Sequence, residues 1–533
     1  MSAKMKTLLL ILAGLSLFDV DAFGQQSIIE KDGDSASVRK ESTVNRPPRP
    51  ASLRQPVSLD LADAIQDGKN FFSLGEVSVA QVAAADEKGA IARQARAPKS
   101  PRVGIVRSVG RTFGPDSFVN VASNGEKNVW AMALRSSGAL YLRLHFINFD
   151  IGEASAIIYA RYGGEIVTLG PFSGKGPQRN GDFWTMSLPG DTAFIEFSGK
   201  GKPQLEIAEL MHYDKDPLAG FQPRALDSGE HPCFLDVMQE NVDPFARDAV
   251  GLITYIDGKG DFVSYCSGTL LNDLDGETDV PYFLTANHCG ITAANVNTVE
   301  ALFLYQRDPA TGTIPSLHSL PRLSGGVEVA FNGQGGNDMT FLRLNGAVPA
   351  GVTMAGWSTG GADGNSYGIH HPNGTYKKVV FVQPSDRNDC GFDDEYHIVD
   401  ITRGGVAGQS SGSGLFDSSA RLVGHLSSLC PAGGDKISCA GDDGDRLIYG
   451  KFSVTYPLIR RWLEIGGTIN VNRFHSGNEL GTPSEPYRTV ISGYQFAWDH
   501  TRLKIKAGSY NEAVTFSKPM TILADGGTVI IGR

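Results

Sequence analysis

No stretch of this 533-residue sequence approaches 18 consecutive apolar residues, so no helix able to span the roughly 30 Å of a bilayer is encoded. Cysteine is scarce. Six are too few to build a fold from disulfides, but an even count suits an exported protein with a few staples. There is no CxxC and no HExxH, and the adjacent His370 and His371 would point to opposite faces of a strand. A zinc site therefore fails, and neither a metal nor an organic cofactor is indicated. There is no basic surplus: 48 Lys and Arg against 58 Asp and Glu leave a net charge of −10, which argues against nucleic acid as a partner. The 64 glycines show no collagen period. Together with 27 prolines they favour a turn-rich, all-β chain. The 41% hydrophobic content excludes a disordered one.

The first 24 residues read as a signal peptide. Lys4 and Lys6 precede the uncharged run Thr7–Phe18, and cleavage fits after Ala22 or Gly24. A secreted protein, extracellular or on the cell surface, is expected. Residues 25–101 are polar and Pro-bearing and read as a leader or linker, with a short helical patch at Ser58–Gln66. Residues 102–228 switch to period-two alternation: LYLRLHF at Leu140–Phe146, AIIYARY at Ala156–Tyr162 and TAFIEF at Thr192–Phe197. Such short strands between turn residues predict an antiparallel β-sandwich. Residues 229–467 hold all six cysteines and close on a helix predicted at Val454–Ile465. Residues 468–533 form a small β-rich extension of different texture.

Three segments of the 229–467 block carry chemistry. YFLTANHCG (Tyr282–Gly290) ends an apolar strand on a turn bearing His288. GGNDMTFLRL places Asp338 at the mouth of the next such strand, and VAGQSSGSGLFD (Val406–Asp417) is a Gly/Ser turn around Ser411. A serine hydroxyl becomes a nucleophile when an imidazole accepts its proton. A buried carboxylate must hold that imidazole in one tautomer and stabilise its charged form. The oxyanion that develops needs backbone N–H groups aimed at it, which a tight turn supplies.

With CSGTLLN (Cys266–Asn272), NDMTFLRLN (Asn337–Asn345), AGW (Ala355–Trp357), IHHPNGTYKK (Ile369–Lys378), SSGSGLFD (Ser410–Asp417) and RLVGHL (Arg421–Leu426) in this order, the block resembles the trypsin-like serine peptidases. It is most similar to the secreted bacterial lysyl endopeptidases. The resemblance implies a double antiparallel β-barrel with its site in the cleft between barrels, an enzyme made as a zymogen, and protein or peptide substrates. It assigns His288 as general base, Asp338 as its orienting carboxylate and Ser411 as nucleophile. The backbone N–H groups of Gln409 and Ser411 would form the oxyanion hole, and Cys266–Cys289 would form a disulfide. Cys233 is expected to pair with Cys430 or Cys439. Lysine or arginine specificity would rest on an acidic pocket, with Asp445 the first candidate, Asp443 the second and Ser427 on the pocket wall. The sandwich would be the enzyme's own propeptide, with processing between Asp214 and Cys233, after Arg224 or Glu230. The tail resembles the opening turn of parallel β-helix proteins and suggests contact with a glycan or surface.

The block departs from the family where Gln409 replaces the usual Gly two residues before the nucleophile. That backbone conformation suits Gly and costs energy for Gln. The departure keeps a rival in view, a catalytically degenerate fold serving as a secreted adhesin.

Overall fold

The computed structural model describes residues 26–32, 35–41, 55–66, 70–94, 103–123, 127–218, 231–256, 263–333, 336–388, 391–392, 394–430, 437–442, 445–498 and 500–532. The expected signal peptide lies outside them, as do Asp443, Cys390, Arg224 and Glu230.

Strand outweighs helix, 43% to 14%. Residues 103–213 form two antiparallel sheets. One centres on Tyr141–Ile147 and Leu205–Tyr213, the other on Asn128–Arg135 and Thr192–Gly199. Period-two alternation sends Leu134, Leu142, Leu144, Phe146, Ile158 and Ile195 into one shared core. Part of the expected leader packs on this unit. Residues Ala62–Gln66 are helical and bury Ala62 and Ile65 against Ala131, Tyr159 and Phe194. Ser58 anchors that turn by donating its N–H and Oγ–H to Glu196 Oε2, both at 2.8 Å.

The next block holds two curled sheets. In the first, Val250–Ile256, Val263–Leu271, Tyr282–Ala286 and Met339–Leu344 are successive antiparallel neighbours in a seven-stranded half-barrel. In the second, six strands close into a barrel: Leu422–Cys430, Gly414–Phe416, Ser366–His370, Lys378–Pro384, Tyr396–Arg403 and Arg446–Lys451. The last of these pairs back to the first. This is the double-barrel architecture expected. The closing helix runs Phe452–Ile465 and buries Phe452, Ile459 and Leu463 against Trp357 in the cluster between the barrels. The tail is a parallel sheet of Thr468–Val471, Arg502–Tyr510 and Thr521–Ile531, packed on the helix Val490–Phe496 through Ile469, Leu503 and Val490.

The sandwich docks on the outer wall of the first sheet. Tyr141, Trp184 and Tyr213 meet Leu252, Tyr265 and Leu302 there. A buried charge cluster sits beside this contact. Glu300 takes Arg322 Nη1 at 2.7 Å, Arg143 Nε lies at 3.9 Å, and Ser187 donates its Oγ–H at 2.6 Å. Burial works to raise the Glu300 carboxyl, but the two guanidiniums outweigh it and hold the group below the usual range.

Candidate active site

Tyr282–Ala286 ends in a tight turn, Asn287–Cys289, that carries His288. The Cys266–Cys289 disulfide ties this turn to the neighbouring strand, as the resemblance implied. Asn287 N–H donates to Asp338 O at 2.8 Å, which locks the His turn to the mouth of the Met339 strand. Asp338 itself is left-handed, with φ 59°. Its neighbour Asn337 is buried and donates to Thr455 Oγ1 at 2.7 Å, so the closing helix braces the loop.

That bracing aims the carboxylate. Asp338 Oδ1 accepts His288 N–H at 2.8 Å. Oδ2 lies 2.6 Å from His288 Nδ1 and accepts Ser427 Oγ–H at 2.6 Å. The side chain is 2% exposed. Burial pushes its pKa up, but the hydrogen bonds and charge of His288, with Ser427, prevail and keep the carboxyl below its ordinary value. On the far side of the ring, His288 Nε2 lies 2.8 Å from Ser411 Oγ. Ser411 is half-buried and His288 19% exposed on its side chain, so both reach the cleft. The three residues singled out from the sequence thus form one chain of contacts.

The turn before Ser411 holds Gln409, where the resemblance implied Gly. Gln409 sits at φ 68°, in the left-handed region, and is buried. Gln therefore occupies the conformation for which Gly is usual. Gly412 follows at φ 81°, where a Cβ would lie 2.2 Å from Thr285 Oγ1 and 2.4 Å from Ser267 O, so only glycine fits.

The pocket candidates separate. Ser427 donates its hydroxyl to Asp338 Oδ2 at 2.6 Å and so braces the carboxylate. Asp445 is 7% exposed and its Oδ2 accepts Ser438 Oγ–H at 2.8 Å. Ser438 is the strand partner of Val406, five residues before Ser411. Among the other cysteines, Cys233 is bonded to Cys439, and Cys430 is also disulfide-bonded.

Sequence reasoning missed Ser267, His370, Asn373 and His425, all of which touch this machinery. Ser267 Oγ donates to Gln409 O at 2.9 Å, and His425 Nε2 lies 3.0 Å from Asp338 O. The signal for Ser267, His370 and His425 was present in CSGTLLN, IHHPNGTYKK and RLVGHL, where each is a fully buried polar residue; Asn373 acts through its backbone N–H, which no residue type marks.

Residues 231–444 match the family model for the C-terminal domain of lysyl endopeptidase. Among solved structures, the active form of the Rv3671c protease from M. tuberculosis is similar at 13% identity, covering 40% of this chain and 81% of its own, with TM-score 0.27. A thermostable serine protease, AL20, from an extremophilic microorganism is similar at 15% identity, covering 40% of this chain and 97% of its own, with TM-score 0.26.

Proposed function

We propose that this trypsin-like serine endopeptidase cleaves after lysine or arginine, with Ser411 as nucleophile, His288 as general base and Asp338 as the group that orients the base. The observation that carries the roles is the unbroken contact chain from Asp338 Oδ2 through His288 to Ser411 Oγ, at 2.6 and 2.8 Å. With Nδ1–H pinned to the carboxylate, Nε2 presents its lone pair to the hydroxyl.

The Ser411 proton moves to His288 Nε2 as Oγ attacks the scissile carbonyl. The imidazolium that forms sits against an ionised Asp338, which stabilises it. The tetrahedral oxyanion is received by the N–H groups of Gln409 and Ser411. His288 then gives its proton to the leaving amine, and an acyl-enzyme remains. Water repeats the sequence, with His288 again taking the proton, and frees Ser411.

Basic specificity is supported by Asp445, a buried carboxylate near the strand that leads into the nucleophile turn. A Lys or Arg stem would pack along the apolar walls and its charge would meet that carboxylate. Manufacture as an exported zymogen is supported by the charge and length pattern of residues 1–24 and by the sandwich packed on the first sheet of the peptidase block.

A fluorophosphonate probe tests the mechanism, because it labels only an activated serine. Labelling of the wild type that disappears in Ser411→Ala supports the roles. An unlabelled wild type overturns them and favours the adhesin reading, for which Gln409 supplies the motive.

A further inference from the structure

The turn that delivers Ser411 is laced down by a small set of groups, most of them from one segment. Ser410 lies directly before the nucleophile and is fully buried. Its Oγ shares a hydrogen bond with His370 Nδ1 at 2.7 Å and accepts Ala407 N–H at 3.3 Å. One hydroxyl therefore closes the turn on itself and fastens it to the strand Ser366–His370. The next residue works through its main chain: His371 N–H donates to Ser267 Oγ at 3.0 Å, and that hydroxyl donates to Gln409 O at 2.9 Å. Two residues on, Asn373 N–H donates to Gly408 O at 2.6 Å. Ser410 O accepts Ser413 N–H at 3.1 Å.

These contacts have a directional consequence. In a trans peptide the N–H points opposite to the C=O. Holding Gly408 O therefore sets the direction of Gln409 N–H, and holding Ser410 O sets that of Ser411 N–H. Those are the two oxyanion donors. The turn needs holding, because a non-glycine residue in the left-handed region costs about 1–2 kcal/mol and persists only where its surroundings over-determine it.

We propose that His370 is a positioning residue for the oxyanion hole, acting through the Ser410 hydroxyl to fix the turn that aims the N–H groups of Gln409 and Ser411. The inference rests on reading Ser411 as the nucleophile. His370 is poorly explained as core filling. The ring is fully buried and its Nε2 has no hydrogen-bond partner, a cost an apolar side chain would avoid. Burial, with Lys378 nearby, pushes its pKa down to about 3. The ring thus stays neutral and hydrogen-bonding while His288 changes charge in each turnover.

The test uses the processed enzyme, a chromogenic peptide and a peptide aldehyde that mimics the tetrahedral adduct. His370→Leu is expected to lower kcat at least about 10-fold, below the roughly 10²–10³ seen when an oxyanion donor is removed outright. KM should stay within about 2-fold, and aldehyde affinity should fall in step with kcat/KM. His370→Asn places an amide where Nδ1 stood and should recover most of the loss. His370→Gln reaches toward the Nε2 position and should not. Ser410→Ala should match His370→Leu, and the double variant should be no worse than either, as expected for two ends of one contact. Should His370→Leu fail to fold, Ser410→Ala and His370→Asn carry the test.

The proposal is overturned if Asn rescues no better than Gln, if the single losses multiply in the double variant, or if KM alone changes. A wild type that fluorophosphonate does not label defeats the nucleophile assignment itself. A labelled wild type with an unimpaired His370→Leu defeats only this inference.

Discussion

Ser427 Oγ donates to Asp338 Oδ2 at 2.6 Å, the same oxygen that His288 Nδ1 reaches at 2.6 Å. One carboxylate oxygen thus serves both the ring it orients and a brace from the second barrel. Ser427→Ala removes the brace and leaves the ring contact. It should lower kcat by about 10- to 100-fold, of the order of one lost hydrogen bond to a charged group, about 1.5–3 kcal/mol. The preference for the residue before the cut should not change. Kinetics on paired Lys and Leu substrates check this, and a changed preference would return Ser427 to the pocket wall.

Gln409 invites the opposite change. Gln409→Gly restores a residue without the left-handed penalty. Melting should move upward by the equivalent of about 1 kcal/mol, and kcat should be kept or raised. Calorimetry together with peptide turnover decides it.

The proposed basic specificity rests on Asp445. Asp445→Asn removes the charge and keeps the shape. The kcat/KM for Lys and Arg substrates should fall at least about 100-fold, as charge pairing in a buried site is lost, while small apolar substrates change little. Equal losses on all substrates would mean that Asp445 is structural.

The docked sandwich rests on a charge cluster. Arg322→Met leaves Glu300 with the more distant Arg143 and with Ser187. Breaking a buried pair from one side costs about 3–5 kcal/mol. Limited proteolysis should cut between sandwich and barrels in the variant under conditions where the wild type resists.

Acid should destabilise the fold through its buried histidines. His370 is pushed down to about 3 and His397 to about 4, burial being the main cause in each. An unfolded histidine takes up a proton near pH 6.5. As pH falls below that value the unfolded chain gains protons that the folded chain refuses, so stability drops steadily toward pH 3–4. Denaturant melts at pH 7.5, 6 and 5 give the slope.

The contact chain of His288, Asp338 and Ser411 was legible because these residues sit in contiguous motifs that carry their own turns, as Tyr282–Gly290 and Val406–Asp417 do. The short strands of the sandwich were legible for the same local reason, since alternation is visible within seven or eight residues. The contact of Ser427 with Asp338 was not, because the two are 89 residues apart and the sequence does not say which way the Ser427 side chain faces. The packing of Ser58–Gln66 was hidden because its partners, Glu196 and Phe194, lie far along the chain. The Arg143–Glu300–Arg322 cluster was hidden likewise. Glu300 and Arg322 sit on neighbouring strands of the first sheet, but nothing local marks that Arg143 joins them when the sandwich packs on that sheet.

The most direct measurement is cleavage-site profiling of the purified protein on a denatured protein mixture, with Ser411→Ala alongside. The account predicts cuts after Lys and Arg that vanish in the variant. Cuts that persist at full strength in Ser411→Ala would contradict it.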